Sequence, residues 1–254
     1  MTTVTHRPAP HVPGIPTAHQ PAGGGAPGWP VVLYFHHVNA AVRHYTALSP
    51  RDFGTALELL LDSFDPYRPA DLLAPGGPVR PDRPTVLVTF DDGYRDNFTQ
   101  ARPILDRFGV KAVFFAVTGK LGTRGDGPRE DYLDWEQCDE LAAQGHLVAA
   151  HTRSHPHLDR VPAAEAARET TESLADIAAR YGAGPGRLFA YPYGGVPDQP
   201  AVPADVLAFG TVRSAAAPWT SAPQAIRRTY LPVGQLDAWP TLISYWRQLW
   251  APRY

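Results

Sequence analysis

Cysteine is nearly missing from this sequence. The single thiol, Cys138, excludes an intrachain disulfide and any multi-cysteine zinc cluster, so metal chemistry here must rest on histidine and carboxylate. An excess of charge is missing too. Lys and Arg number 23 against 25 Asp and Glu, a formal net charge of −2, which gives no electrostatic footing for nucleic acid or an anionic membrane surface. No apolar run is long enough for a membrane helix or a signal-peptide core, so the expected location is the cytoplasm. Residues 1–30 lack Asp and Glu altogether while holding seven Pro and five Gly. Too little apolar surface remains there to offset chain entropy, so a disordered, dispensable N-terminal arm is expected, with His6, His11 and His19 solvated rather than ligating. The remainder, 31–254, shows no internal repeat and no second boundary, and it is long enough for one α/β barrel. Oligomeric state is not encoded in any of this.

What is present is an alternation. VVLYF (31–35), VLVTF (86–90), AVFFAV (112–117), HLVAA (146–150), LFAY (188–191) and VLAFGTV (206–212) are short continuous apolar runs, as strands buried on both faces require. Between them lie helical stretches. One opens at Ser49-Pro50, an N-cap followed by a first-turn proline, with Phe53, Leu57, Leu60 and Leu61 on one face. Others cover 97–108, 135–143 and 162–181, the last stopped by Gly182; a closing helix carries Leu242, Tyr245, Trp246 and Leu249. Such alternation predicts parallel strands joined by right-handed crossovers, either a single (β/α) barrel or an open α/β sheet. In both, chemistry gathers at the C-terminal strand ends.

Four of those ends deliver polar groups: His36-His37, Asp91-Asp92-Gly93-Tyr94, the run from His151 to His157, and Pro192-Tyr193-Gly194-Gly195. His151 and His155 are four apart, a spacing that on one helical turn brings side chains about 5–6 Å from each other, close enough to share a metal. One carboxylate added from another strand end would complete three ligands and leave coordination open. Two adjacent aspartates closing an apolar strand would repel if both were buried and unpaired; a cation on one lets its neighbour stay ionised as a base. Which aspartate takes which role is left open by the residues themselves.

TFDDGY (89–94), HTRSHPHL (151–158) and FAYPYG (189–194) resemble, in order, the signature motifs of the polysaccharide deacetylase (NodB-homology, carbohydrate esterase) family. YFHHV (34–38) with LSPRDF (48–53) is similar to the opening of the branch acting on poly-N-acetylglucosamine-type polymers, and the likeness runs over 31–233. The resemblance implies a single distorted (β/α)7 barrel. It further implies a hydrolase that removes acetyl groups from N-acetylated sugars. In that role Asp91 is the catalytic base, Asp92, His151 and His155 hold one divalent metal ion, and the Tyr193 backbone N–H meets the oxyanion. Zn2+ suits such a ligand set best, with Co2+ or Ni2+ also able to bind.

Two departures stand out. The position of the family's third-motif arginine is Ala190; Arg227 and Arg228 are the nearby substitutes, Arg228 the preferred one. The family's late histidine, the general acid, has no counterpart because no histidine follows His157. The remaining histidine candidates are His36, His37, His44, His146 and His157, and without one of them the resemblance implies a slow enzyme or an easier leaving group. Strand alternation sends His36 and His37 to opposite faces, and His36 matches the opening motif, which makes it the choice. Tyr94, Trp135 and Trp219 are candidate sugar-stacking rings. The alternative functions are an amidase for a small acylated metabolite and an inactive barrel kept as a carbohydrate- or partner-binding module.

Overall fold

Every apolar run singled out above forms a strand. The computed structural model of the chain describes residues 30–199, 201–215 and 217–250, the side chain of Leu249 excepted. The expected arm, with its three histidines, therefore lies outside the described residues apart from Pro30. The strands are β1 (Val31–Phe35), β2 (Asp65–Pro66), β3 (Thr85–Phe90), β4 (Ala112–Ala116), β5 (Leu147–Ala150), β6 (Leu188–Ala190) and β7 (Leu207–Phe209). All pair in parallel in the order β1-β3-β4-β5-β6-β7, with the two-residue β2 beside the start of β3. The helices are α1 (Pro50–Leu61), α2 (Arg102–Arg107), α3 (Trp135–Ala143), α4 (Ala163–Tyr181) and α5 (Trp239–Leu249), α2 being entered through a wide turn at Asn97–Ala101. The Ser49 hydroxyl accepts the Asp52 N–H at 3.0 Å and so caps α1. None of the described helices is long and apolar enough to cross a membrane.

Strand alternation divides the interior into two apolar layers. Val31, Leu33, Phe35, Val86, Val88, Phe90, Ala112, Phe114 and Ala116 face the helices, where α5 adds Trp239, Leu242, Ile243 and Trp246. Their neighbours Val32, Leu87, Val113, Phe115, Ala149, Leu188, Ala190 and Phe209 fill the inside of the curled sheet. Each Val, Leu or Phe so buried contributes about 1.5–3 kcal/mol relative to exposure, which is why these strands are apolar on both faces. The same parity sets the site. Val32 and Tyr34 lead to His36, Leu87 and Thr89 lead to Asp91, and Ala149 leads to His151, all on the inner side at the C-terminal rim.

One part of the sheet was not visible as a strand in the sequence. The segment 226–229 bridges β7 to β1. The Ile226 N–H donates to Ala208 O at 2.9 Å and the Gly210 N–H to Ile226 O at 2.8 Å. On the other side the Thr229 N–H donates to Val32 O at 2.8 Å and the Tyr34 N–H to Thr229 O at 3.0 Å. This segment places Arg228 inside the barrel, where it is 1% exposed.

At the opposite end, His146 is buried with no acceptor for its Nε2. Its Nδ1 accepts the Ala112 N–H at 3.1 Å, so the ring is held neutral with the proton on Nε2. Burial pushes its pKa down to about 4 from 6.5, with Lys111 reinforcing and Asp106 opposing. The folded chain then binds fewer protons than the unfolded one between those values, so stability is lost as pH falls from about 6.5 toward 4, by an amount on the order of 3 kcal/mol. Urea denaturation at pH 7 and pH 5 should show about 2 kcal/mol of that loss in the wild type and a much smaller one in His146→Gln.

Candidate functional site

Asp91 and Asp92 follow β3 directly, and their neighbours separate them. Asp91 is 3% exposed and lies against the buried Arg228 in a two-point pairing, Nη1 to Oδ1 at 2.6 Å and Nη2 to Oδ2 at 2.7 Å. Arg228 in turn donates to Gly210 O at 2.7 Å and Thr89 Oγ1 at 3.1 Å, and its guanidinium carbon lies 5.0 Å from the Tyr34 ring centre and 5.4 Å from that of Phe115. Burial works to raise the Asp91 pKa, but the adjacent Arg228 guanidinium, His151 and His36 together outweigh it and hold the carboxyl below the usual range. Asp91 is therefore an anion at neutral pH. Arg228 occupies two of its lone-pair directions and leaves others for a proton.

Asp92 belongs to a different cluster. Its Oδ1 lies 3.4 Å from His151 Nε2 and 3.0 Å from His155 Nε2, while Oδ2 is 3.9 Å from His36 Nε2. Among the described residues, Asp92, His151 and His155 form the group of ligand atoms that could hold a metal ion. A test of fit comes from the histidine tautomer. His151 Nδ1 is 2.7 Å from Ala190 O, and a carbonyl can only accept, so the proton is on Nδ1. In the neutral ring Nε2 then turns a lone pair toward the buried Asp92 Oδ1. Across that 3.4 Å gap the His151 lone pair and the carboxylate oxygen repel each other. A cation among them turns that repulsion into ligation, and this donor set fits one. The backbone carbonyl at the position of the family arginine thus fixes a histidine tautomer.

The histidines are not brought together by a helical turn. Residues 151–155 are irregular, and Thr152 and His155 have φ of 65° and 67°. With Asp92 (φ 71°) and Tyr193 (φ 57°), these are the four described non-glycine residues in the left-handed region, and all four are at this site. Such strain persists where the surroundings enforce it, which is typical of functional positions. Tyr193 is half-exposed; its ring stacks on His157 at 3.7 Å and meets His155 edge-on at 4.6 Å.

On the other side of Asp92, His36 Nδ1 and His44 Nδ1 both contact the Thr46 hydroxyl at 2.8 Å. Burial lowers the His36 pKa, against the attraction of Asp92 and Asp91. His37 departs from the alternation argument. Its Nδ1 donates to Asp96 at 2.7 Å and its ring stacks on Tyr94 at 3.7 Å, yet it borders the same cavity as His36. His37 lies two residues past the end of β1. That cavity, about 290 Å3, is also lined by His44, Asp92, Tyr94 and Tyr132. Trp135 and Trp219 pack elsewhere, Trp135 beside Tyr181 and Trp219 edge-on to Phe209 in the interior. The role of Thr46 and the pairing of His37 with Asp96 had no signal in the sequence.

These strand ends define a parallel barrel whose C-terminal rim holds a candidate metal centre beside a buried aspartate–arginine pair. The chain belongs to the polysaccharide deacetylase family, whose model matches residues 79–205, half of its length. A chitooligosaccharide deacetylase of Rhizobium leguminosarum bv. trifolii is 34% identical over 89 residues, 35% of this chain and 37% of that protein. YxkH of Bacillus subtilis (strain 168) is 33% identical over 94 residues, 37% of this chain and 32% of that protein. The matched stretch spans about a third of the length of these curated relatives. In three dimensions the fold is similar to that of IcaB from Ammonifex degensii, at a TM-score of 0.68 and 25% identity, covering 89% of this chain and 99% of that one.

Proposed function

We propose that the chain is a metal-dependent N-deacetylase that hydrolyses the acetamide of an N-acetylated sugar and releases acetate. The observation that carries this reading is the division of the adjacent aspartates, Asp91 onto Arg228 and Asp92 onto His151 and His155. Asp92, His151 and His155 would hold one divalent cation, zinc suiting the donor set best and cobalt or nickel also able to bind. Such an ion, when bound, makes a water nucleophilic near neutral pH and polarises the acyl oxygen.

The chain's own residues do the rest. Asp91, kept ionised by Arg228, accepts the proton of the attacking water as the bond to the acetyl carbon forms. Tyr193 turns its backbone N–H to the oxygen on which negative charge develops. His36 gives a proton to the amine nitrogen as the carbon–nitrogen bond breaks. Its position supports that role: with His151 and His155 it makes up the described histidines within 4.0 Å of the Asp92 carboxylate. Asp91 and Asp92 favour its protonated form and burial opposes it. Two tyrosines about half exposed, Tyr45 beside His36 and Tyr193 beside His155, offer apolar faces to sugar rings on either side of the centre.

Acetate release from a panel of N-acetylglucosamine, its oligomers and small N-acetylated amides tests the reading. Release from the sugars is expected. Release from the small amides alone would transfer the function to a metabolite amidase. No release from any of them by the zinc-loaded chain would leave a binding module.

A further inference from the structure

Four described carboxylates are buried, and three have partners already accounted for: Asp91 on Arg228, Asp92 at the metal cluster, Asp96 on His37. The fourth, Glu169 on α4, has a different kind of partner. Its Oε2 accepts the backbone N–H groups of Arg153 and Ser154, each at 2.9 Å, and its Oε1 accepts the Ser154 hydroxyl at 2.8 Å. All three donors lie between His151 and His155. That short stretch contains two residues in the left-handed region, Thr152 and His155. A backbone so strained needs outside restraint to keep one form.

Part of the restraint is local. The Thr152 hydroxyl accepts the His155 N–H at 3.0 Å, and the Thr118 and Gly119 N–H groups donate to Thr152 O and Arg153 O at 3.1 and 3.0 Å. A Cβ at position 119 would come within 2.5 Å of Arg153 O, so that approach requires glycine. These bonds hold the His155 N–H and the carbonyls of Thr152 and Arg153. Among the described residues, the N–H groups of Arg153 and Ser154 are held by Glu169, through charge-assisted bonds that a neutral side chain would weaken.

We propose that Glu169 is a positioning residue that sets the metal affinity of the site by fixing the backbone between His151 and His155. The inference rests on the metal centre proposed above. Its chemistry is that of an outer-shell partner acting on the spacing and aim of two ligands, where replacement commonly costs 10–100-fold in affinity. Glu172, one turn along α4, pairs only with the exposed side chain of Arg153 at 3.0 Å and serves as the control.

The test is a zinc titration of the chelator-stripped full chain, in competition with a chromophoric chelator, with far-UV circular dichroism of each stripped protein. Glu169→Ala should raise the zinc Kd about 10–100-fold, Glu169→Gln should raise it by less, and Glu172→Ala should stay within about twofold of wild type. Cobalt-loaded Glu169→Gln should show altered visible bands, a mark of changed ligand geometry that lower stability by itself would not produce. Should Glu169→Ala not fold, Glu169→Gln decides. An unchanged Kd and cobalt spectrum in a folded Glu169 variant, or an equal loss in Glu172→Ala, would overturn the inference while leaving the metal centre standing. A wild-type chain that takes up no zinc would overturn the centre itself.

Discussion

Asp91→Asn should keep its metal and lose its rate. The substitution preserves shape but removes the group able to take a proton, so acetate release should fall by a factor on the order of 10²–10⁴, the usual worth of a general base. Zinc content should stay at the wild-type level, because Asp92, His151 and His155 are untouched. A second consequence follows from the pairing with Arg228. That guanidinium is fully buried, and the variant leaves its charge with neutral acceptors: Gly210 O, Thr89 Oγ1 and the amide oxygen of the new side chain. Breaking a buried ion pair costs about 3–5 kcal/mol, so a clear fall in Tm is expected, and rates should be compared well below it. Full activity in Asp91→Asn, measured together with its metal content, would remove Asp91 from the reaction.

The neighbouring position should behave in the opposite way. Asp92→Asn, His151→Ala and His155→Ala each remove one of three ligand groups, and zinc and activity should fall together in every case. Adding excess zinc should restore part of the activity if affinity alone is lowered. Metal analysis of the purified variants beside their acetate release separates the two outcomes. Full occupancy in all three variants would dissolve the proposed centre.

The contrast between two adjacent aspartates shows how far the sequence could be read. Strand runs such as VVLYF and AVFFAV were legible because a strand buried on both faces leaves an unbroken apolar signature, and Ser49-Pro50 marked the start of α1 by known capping chemistry. That His36, Asp91 and His151 share the inner face follows from the period of a strand. The partner of Asp91 was half legible: Arg228 was the preferred substitute for the arginine missing at Ala190, but only the backbone bridge at 226–229 shows how a C-terminal residue reaches β3. Three features left no trace. The left-handed φ values at Asp92, Thr152, His155 and Tyr193 break residue-type preference, and His151 and His155 meet beside Asp92 through an irregular loop and not through a helical turn. The contacts of His37 with Asp96 and Tyr94 lie in the loop after β1, where the apolar pattern carries no signal. Glu169 sits at an ordinary place on an amphipathic helix, and its contacts depend wholly on how α4 packs on the loop.

The central claim is that this site performs hydrolysis only with a cation on Asp92, His151 and His155. The direct measurement is acetate release from N-acetylglucosamine oligomers by the full chain after chelator treatment, and again after stoichiometric zinc. Near-complete loss followed by recovery, with Asp91→Asn inactive in both states, is the predicted result. Undiminished release by the metal-free chain would contradict the account.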